Sequence, residues 1–363
     1  MQKILIQCLL VMLAMSLGVH AQKKTKIAKP VEKAAAVTAV PATNGLRNED
    51  AKITAHGVTL AGTFTLPATT APKKAPAVLL LGAFDATPRD GMVVAPNVIA
   101  PIYKAIAEHL ATKGFVTFRF DKRCAGASSC PATAASMDEY LEDAKAALDA
   151  LQQRPEVNPA KVFIFGHSEG GQFAASLAAA DPKLAGVIMA ASPGRTLNKV
   201  LREFNVNRMR EAKEAPEKIA EFTAKFDLFT RILSTGDASQ MTLPLDPKDP
   251  NDAMMQSLAK QPAYTAPMFI NDPLQTAQAV TIPVLLLQGE KDWHITVKDG
   301  NFLSEAFTRT HHPDTTYKLF PNVNHLLQDQ QSPATTNLAA LAKQPVSADV
   351  FAAINEWLAK RKL

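Results

Sequence analysis

The chain has 363 residues, of which 47% are hydrophobic and 20% charged, and its formal net charge is +5. This length is enough to bury a substantial core in one large or two ordinary domains, and the composition is that of an ordinary globular protein. Lys and Arg are dispersed except near the N-terminus, so no nucleic-acid footprint is expected, and no Cys/His cluster has the spacing of a metal site.

Residues Met1–Ala21 combine a basic start at Lys3, an apolar run from Ile4 to Leu17 and a small-x-small cleavage site at Val19-His20-Ala21. This pattern predicts a signal peptide removed after Ala21, and hence a secreted or periplasmic protein. The apolar run is shorter than the ~20 residues a membrane span needs, so no span is expected after cleavage. Export leaves Cys124 and Cys130, which lie close enough in one loop to bridge in an oxidising compartment. Residues 22–48 are rich in Lys, Ala, Pro, Val and Thr without periodicity and read as a flexible basic linker; the folded domain is expected over 49–363.

The folded part begins with alternation around Gly57 (Ile53, Val58, Leu60, Thr63, Thr65), which predicts a β-hairpin over Ile53–Pro67. The period then changes. Val78–Gly82 is a continuous apolar run ending in glycine, as in a strand buried on both faces, and a loop over Ala83–Asn97 leads to a helical pattern at Ile99, Ile102, Ile106 and Leu110. Phe115–Phe120 is a second such strand. Ser136-Met137-Asp138-Glu139 is a capping box opening a helix with Leu141, Ala144, Leu148 and Leu151 on its apolar face. Further buried strands are expected at Val162–Phe165, Ala185–Ala191, Val284–Gly289 and Tyr317–Phe320, with a final amphipathic helix through Val350, Ile354 and Trp357.

Strands alternating with helices predict a mostly parallel sheet with helices on both faces. From about 195 to 279 the alternation is interrupted by helical spacing of Ile219, Phe222, Phe226, Phe229 and Leu233. An insertion of this size between strands is expected to be a helical cap over one end of the sheet. Its Phe stripe is read as core packing, with some rings able to line a pocket.

The third buried strand runs into Gly166-His167-Ser168-Glu169-Gly170-Gly171, followed by a small-residue helix pattern. Gly-x-Ser-x-Gly between a strand and a helix places the serine on a strained turn with its hydroxyl exposed. A serine hydroxyl needs a base, and the base an orienting acid. Asp292 and His325 follow later strands and therefore fall at the same sheet edge as Ser168, where open parallel sheets carry their sites. Glu290 is the rival acid, while His294, His311 and His312 are the rival bases in less suitable positions. The oxyanion donors are expected to be the backbone N–H groups of Glu169 and Ala83, with Phe84 as the alternative to Ala83. Asp121 and Arg123 are read as bracing the loops by an ion pair or hydrogen bonds.

These residues resemble the α/β-hydrolase superfamily, and within it secreted bacterial esterases near the serine-aminopeptidase-like hydrolases. The resemblance rests on Leu60-Ala61-Gly62-Thr63, Asp121-x-Arg123, the Gly166–Gly171 turn, Gly289-Glu290-Lys291-Asp292-Trp293 and Asn324-His325-Leu326. Two segments depart from it. Gly82-Ala83-Phe84 stands where a Gly-Ser-Gly-like turn is usual, and Arg123-Cys124-Ala125-Gly126 where Arg-Gly-x-Gly is usual. The resemblance implies an α/β-hydrolase fold with a cap insertion, and hydrolysis of small-molecule carboxylic esters through an acyl-serine intermediate without a cofactor. The alternatives are an exopeptidase, for which Glu203, Glu211, Glu214, Glu217 and Glu221 offer an acidic cluster, and a binding protein on the same scaffold. Thioesters and lactones are chemically adjacent substrates.

Overall fold

A computed structural model describes residues 38–40, 45–68, 74–84, 86–95, 97–131, 133–235, 243–330 and 341–361. The expected signal peptide, 1–21, and most of the expected linker lie outside them. The strands in chain order are β1 (Thr38–Val40), β2 (Arg47–Ala55), β3 (Val58–Leu66), β4 (Ala75–Leu81), β5 (Met92–Ala95), β6 (Val98–Ala100), β7 (Val116–Phe120), β8 (Val157–His167), β9 (Gly186–Ala190), β10 (Val284–Gly289) and β11 (Thr315–Phe320). Nine of them form one sheet in the order β1-β2-β3-β7-β4-β8-β9-β10-β11. Pairing is parallel from β7 to β11 and antiparallel among β1, β2, β3 and β7.

Side chains of the central strands divide by parity between two apolar layers. Leu79, Leu81, Val162 and Ile164 enter one, with helices α2 (Met137–Gln152), α3 (Glu169–Ala180) and α9 (Val297–Arg309). Val78, Leu80, Phe163 and Phe165 enter the other, with α1 (Ile102–Thr112) and α10 (Ala348–Ala359). Burial on both faces explains why these strands read as unbroken apolar runs. Each fully buried Leu or Phe contributes roughly 1.5–3 kcal/mol.

Several boundaries differ from the sequence reading. β1 pairs with Asn48–Asp50, so Thr38–Val40, within the stretch read as a linker, belongs to the sheet. The hairpin is longer than expected, since β2 starts at Arg47; its two-residue turn has positive φ at His56 (39°) and Gly57 (82°), which matches the strand twist. β5, inside the loop expected at Ala83–Asn97, pairs with β6, which takes the start of the expected helix; Ile99 therefore lies in a strand and α1 starts only at Ile102. The capping box forms as expected: the Glu139 N–H donates to Ser136 Oγ at 3.2 Å and the Ser136 N–H to Glu139 Oε2 at 2.7 Å.

Between β9 and β10 lie α4 (Leu197–Glu211), α5 (Pro216–Leu233), α6 (Pro250–Ala259), α7 (Pro262–Ile270) and α8 (Pro273–Gln278). Phe222, Phe226 and Phe229 pack with one another and with Phe269 inside this bundle. The chain passes from β4 to β7 on one side and on to β8 on the other. This reversal opens a crevice at the C-terminal ends of β4 and β8.

Candidate active site

β8 delivers the chain to Ser168 at that crevice. Ser168 caps α3 with φ 55° and ψ −124°, a conformation a non-glycine residue holds only where its surroundings impose it. The surroundings do so: the Ser168 N–H donates to the Ala190 carbonyl and the Gly171 N–H to the Ser168 carbonyl, each at 2.9 Å. A Cβ on Gly166 would overlap the Gly170 carbonyl, and one on Gly170 the Leu81 carbonyl. The glycines thus let the turn close against β4.

Asp292 follows β10 and His325 follows β11, and the two meet. His325 Nδ1–H donates to Asp292 Oδ2 at 2.8 Å, and both side chains are almost fully buried. Asp292 Oδ1 accepts from the backbone N–H groups of His294 and Ile295 at 2.8 and 2.9 Å, which fixes the carboxylate. With Nδ1 carrying its proton, the Nε2 of His325 is the basic nitrogen. Burial lowers the His325 pKa to about 3, which keeps the imidazole neutral at pH 7. Burial also raises the Asp292 carboxyl, against the opposing pull of His294 and of the two backbone donors.

The rivals make other contacts. Glu290 is exposed on the same loop. His294 stacks edge-on against His325 with centroids 5.0 Å apart and lines the same cavity, but Asp292 takes only its backbone N–H. His311 and His312 follow α9, where the His312 ring packs on Phe307 and its Nδ1 lies 2.8 Å from Thr315 Oγ1.

The oxyanion loop requires a correction. The Ala83 N–H is already committed, donating to the buried Tyr103 hydroxyl at 2.8 Å. It therefore points into α1, away from any oxygen at Ser168. Phe84 lines the cavity beside Ser168, and its N–H has no hydrogen-bond partner among the described residues. Glu169, whose N–H opens α3, is itself buried: Oε2 accepts from Lys122 Nζ at 2.7 Å and Oε1 from the Tyr264 hydroxyl at 2.5 Å.

The neighbouring loop holds the Cys124–Cys130 disulfide. Asp121 and Arg123 do not pair with each other. Asp121 accepts from Arg89 Nη2 at 2.8 Å and from the Ala127 N–H at 2.9 Å. Arg123 grips Asp143 with two bonds of 2.7 and 2.8 Å and reaches Glu139 at 3.2 Å. Both therefore brace the loop, through partners that sequence spacing does not reveal.

Ser168 and His325 line one cavity of about 170 Å³. Its roof comes from the helices between β9 and β10, through Leu201, Phe204, Met254, Leu258 and Met268, and Met92 of β5 closes one side. The Phe222–Phe229 stripe does not line it. Glu203 is bound by Arg195 at 2.8 Å and Lys298 at 3.1 Å; Glu211, Glu217 and Glu221 are exposed, and Glu214 pairs with Lys218. Among the described residues no cluster of His, Cys, Asp and Glu could hold a metal ion, and no helix is long and apolar enough to cross a membrane.

Sequence reasoning missed Tyr103, Lys122 and Tyr264, and it left the role of His167 unread. His167 adjoins the serine, a position that could have drawn attention to it. Lys122 sits between the two singled-out residues of Asp121-x-Arg123, whereas Tyr103 and Tyr264 lie outside every motif the sequence offers.

Comparison with known proteins points the same way as the geometry. Residues 99–331 match the family model described as serine aminopeptidase, S33. Esterase EstD of Thermotoga maritima is 28% identical over 313 residues, which span 86% of this chain and 68% of that protein. Among solved structures, the Pyrococcus furiosus esterase Pf2001 superposes with a TM-score of 0.53 at 14% identity, covering 86% of this chain and 91% of its own. Est1E from Butyrivibrio proteoclasticus, solved with ferulic acid bound, gives 0.52 at 16% identity, covering 85% and 99%. At these identities the structural likeness shows a shared fold.

Proposed function

From a chain that belongs to the serine aminopeptidase S33 family of α/β-hydrolases, we propose a serine carboxylesterase in which Ser168 is the nucleophile, His325 the base and Asp292 the orienting acid. The observation that carries the reading is the 2.8 Å bond from His325 Nδ1 to Asp292, in a histidine that lines the cavity of Ser168. The name of the EstD relative supports the ester as the bond cleaved.

In this reading His325 Nε2 takes the Ser168 proton as Oγ attacks the ester carbonyl. The developing oxyanion is held by the N–H groups of Phe84 and Glu169, and α3 directs its N-terminal dipole at the same point. His325 then protonates the leaving alcohol. In the second half it activates water, which releases the acid from Ser168. Asp292 holds the imidazole in one tautomer and stabilises its transient positive charge.

The lining favours esters with an apolar acyl or alcohol group, because Leu201, Phe204, Met254, Leu258 and Met268 offer it dispersion contacts and little polarity. An aminopeptidase would need a carboxylate free to receive the substrate ammonium. Among the described residues Glu169 is the acidic residue lining the cavity, and Lys122 and Tyr264 already occupy its two oxygens. The reading also includes export: the sequence pattern of Met1–Ala21 suggests it, and the Cys124–Cys130 bridge is consistent with an oxidising compartment.

The test is to assay the mature protein on p-nitrophenyl esters and aminoacyl-arylamides alongside Ser168→Ala. Ester turnover that vanishes in the variant is the expected result. Dominant amide turnover would favour an exopeptidase, and a wild type that no fluorophosphonate probe labels would overturn serine catalysis altogether.

A further inference from the structure

Behind the oxyanion loop the fold buries an ammonium group. Lys122 follows β7 with its side chain 7% exposed, and its Nζ donates to Glu169 Oε2 at 2.7 Å and to the Ala83 carbonyl at 3.0 Å. The Tyr140 ring lies 4.8 Å from Nζ. A charge at this depth is costly unless it is paired and its donors are satisfied. Here the pairing joins two segments that each carry an expected oxyanion donor.

The Ala83 carbonyl and the Phe84 N–H belong to one planar trans peptide, so they point in opposite directions. Lys122 Nζ donates to that carbonyl at 3.0 Å, while the single Thr87 hydroxyl proton lies between it, at 3.1 Å, and the Phe84 carbonyl, at 2.8 Å. Holding the oxygen toward Lys122 turns the Phe84 N–H away from it, and Lys122 is absent from the cavity lining whereas Phe84 and Ser168 belong to it. A cation at the carbonyl oxygen also withdraws electron density through the peptide, which strengthens the N–H as a donor. The same ammonium anchors Glu169, the residue that supplies the second N–H.

We propose that Lys122 is a positioning residue for the oxyanion site: through the Ala83 carbonyl and the Glu169 carboxylate, one buried ammonium sets both backbone donors. The inference rests on the reading of the Phe84 and Glu169 N–H groups as those donors. Lys122 touches no substrate. Its effect is confined to the step in which negative charge develops on the carbonyl oxygen, so it acts on kcat and leaves ground-state binding alone.

The test compares wild type, Lys122→Met and the double variant Lys122→Met/Glu169→Gln, which leaves no unpaired charge in the interior. Each is measured for kcat and KM on a p-nitrophenyl ester, for inhibition by an alkyl trifluoromethyl ketone, whose adduct with Ser168 carries an oxyanion, and for inhibition by the corresponding alkyl alcohol, which does not. The expected result is a fall in kcat of about 10- to 100-fold, since loss of one whole oxyanion donor costs about 100- to 1000-fold. KM and alcohol binding should stay near wild type, and ketone affinity should fall in parallel with kcat.

A folded variant with unchanged kcat and ketone affinity would overturn the proposal. So would an equal loss of ketone and alcohol binding, which would mean that Lys122 merely supports packing. If neither Lys122 variant folds, Glu169→Gln alone removes the carboxylate through which Lys122 holds the second donor; a parallel loss of kcat and ketone affinity with alcohol binding unchanged supports the mechanism, and unchanged kcat and ketone affinity refute it. A wild type without esterase activity or fluorophosphonate labelling would instead refute the underlying catalytic reading.

Discussion

His167 Nε2–H donates to the backbone carbonyl of His325 at 2.8 Å, which ties the residue before Ser168 to the residue that bears the proposed base. Because Nε2 is the donor, Nδ1 must accept, and the Tyr103 hydroxyl supplies that proton at 3.0 Å. The Tyr103 oxygen in turn accepts the Ala83 N–H. A single directional chain thus links the loops after β4, β8 and β11. Burial enforces its protonation states: it lowers the His167 pKa to about 3, with a further contribution from His325, and raises that of the Tyr103 hydroxyl.

This chain makes stability depend on acid. A histidine held neutral by burial takes up no proton in the folded state between pH ~6.5 and ~3, whereas the unfolded chain does, so the stability it contributes is present above that window and is lost as pH falls through it. His294 and His325 are lowered in the same direction, while Asp292, raised by burial to about 7, opposes one of the three. Urea unfolding measured across this window should show decreasing stability toward low pH. In His167→Leu the slope should be shallower by about 1.4 kcal/mol per pH unit, the value for one proton. An unchanged slope would mean that His167 is not held neutral.

Asp292→Asn should preserve the fold and KM but lower kcat by about 10⁴-fold, because an amide cannot hold the His325 tautomer or stabilise its cation. The His294 and Ile295 N–H groups can still bond the Asn side-chain oxygen. Steady-state kinetics with a circular dichroism control checks this. Glu290→Gln, on the exposed rival, should stay within about twofold of wild type.

Reduction of the Cys124–Cys130 bridge should lower the unfolding free energy by about 2 kcal/mol, the chain-entropy value for so short a loop. Comparing denaturant midpoints with and without a thiol reductant, and in Cys124→Ser/Cys130→Ser, measures it. A reductant effect that persists in the double variant would point away from the bridge.

Leu258→Trp should shorten the acyl preference. Leu258 lines the cavity from α6 and is 7% exposed, so an indole there fills space the substrate would use. The ratio of kcat/KM for hexanoate over acetate p-nitrophenyl esters should fall by about 10-fold or more, since each excluded methylene is worth roughly 1–3 kcal/mol. A ratio equal to wild type would place the acyl chain elsewhere.

Much of the scaffold was legible because burial on both faces of a parallel sheet forces apolar runs, and β4, β8, β9 and β10 all show them. Asp292 and His325 could be chosen because a residue just after a parallel strand must emerge at the C-terminal edge. Ala83 was misread for a related reason. It lies in the expected loop after β4, but its N–H is taken by the Tyr103 hydroxyl and its carbonyl by Lys122, which leaves the Phe84 N–H as the proposed donor. No periodicity encodes those contacts.

The sequence by itself therefore determined the alternation of strands and helices, the glycine-permitted turn at Ser168 and the strand-end positions of Asp292 and His325, all of which follow from local spacing and burial. Only the tertiary structure decided which partners those groups meet: Asp292 with His325, Ala83 with Tyr103, and Lys122 with both Glu169 and the Ala83 carbonyl. These contacts join residues from 20 to 47 positions apart, and a hydrogen bond depends on an approach of about 3 Å that separation along the chain does not specify.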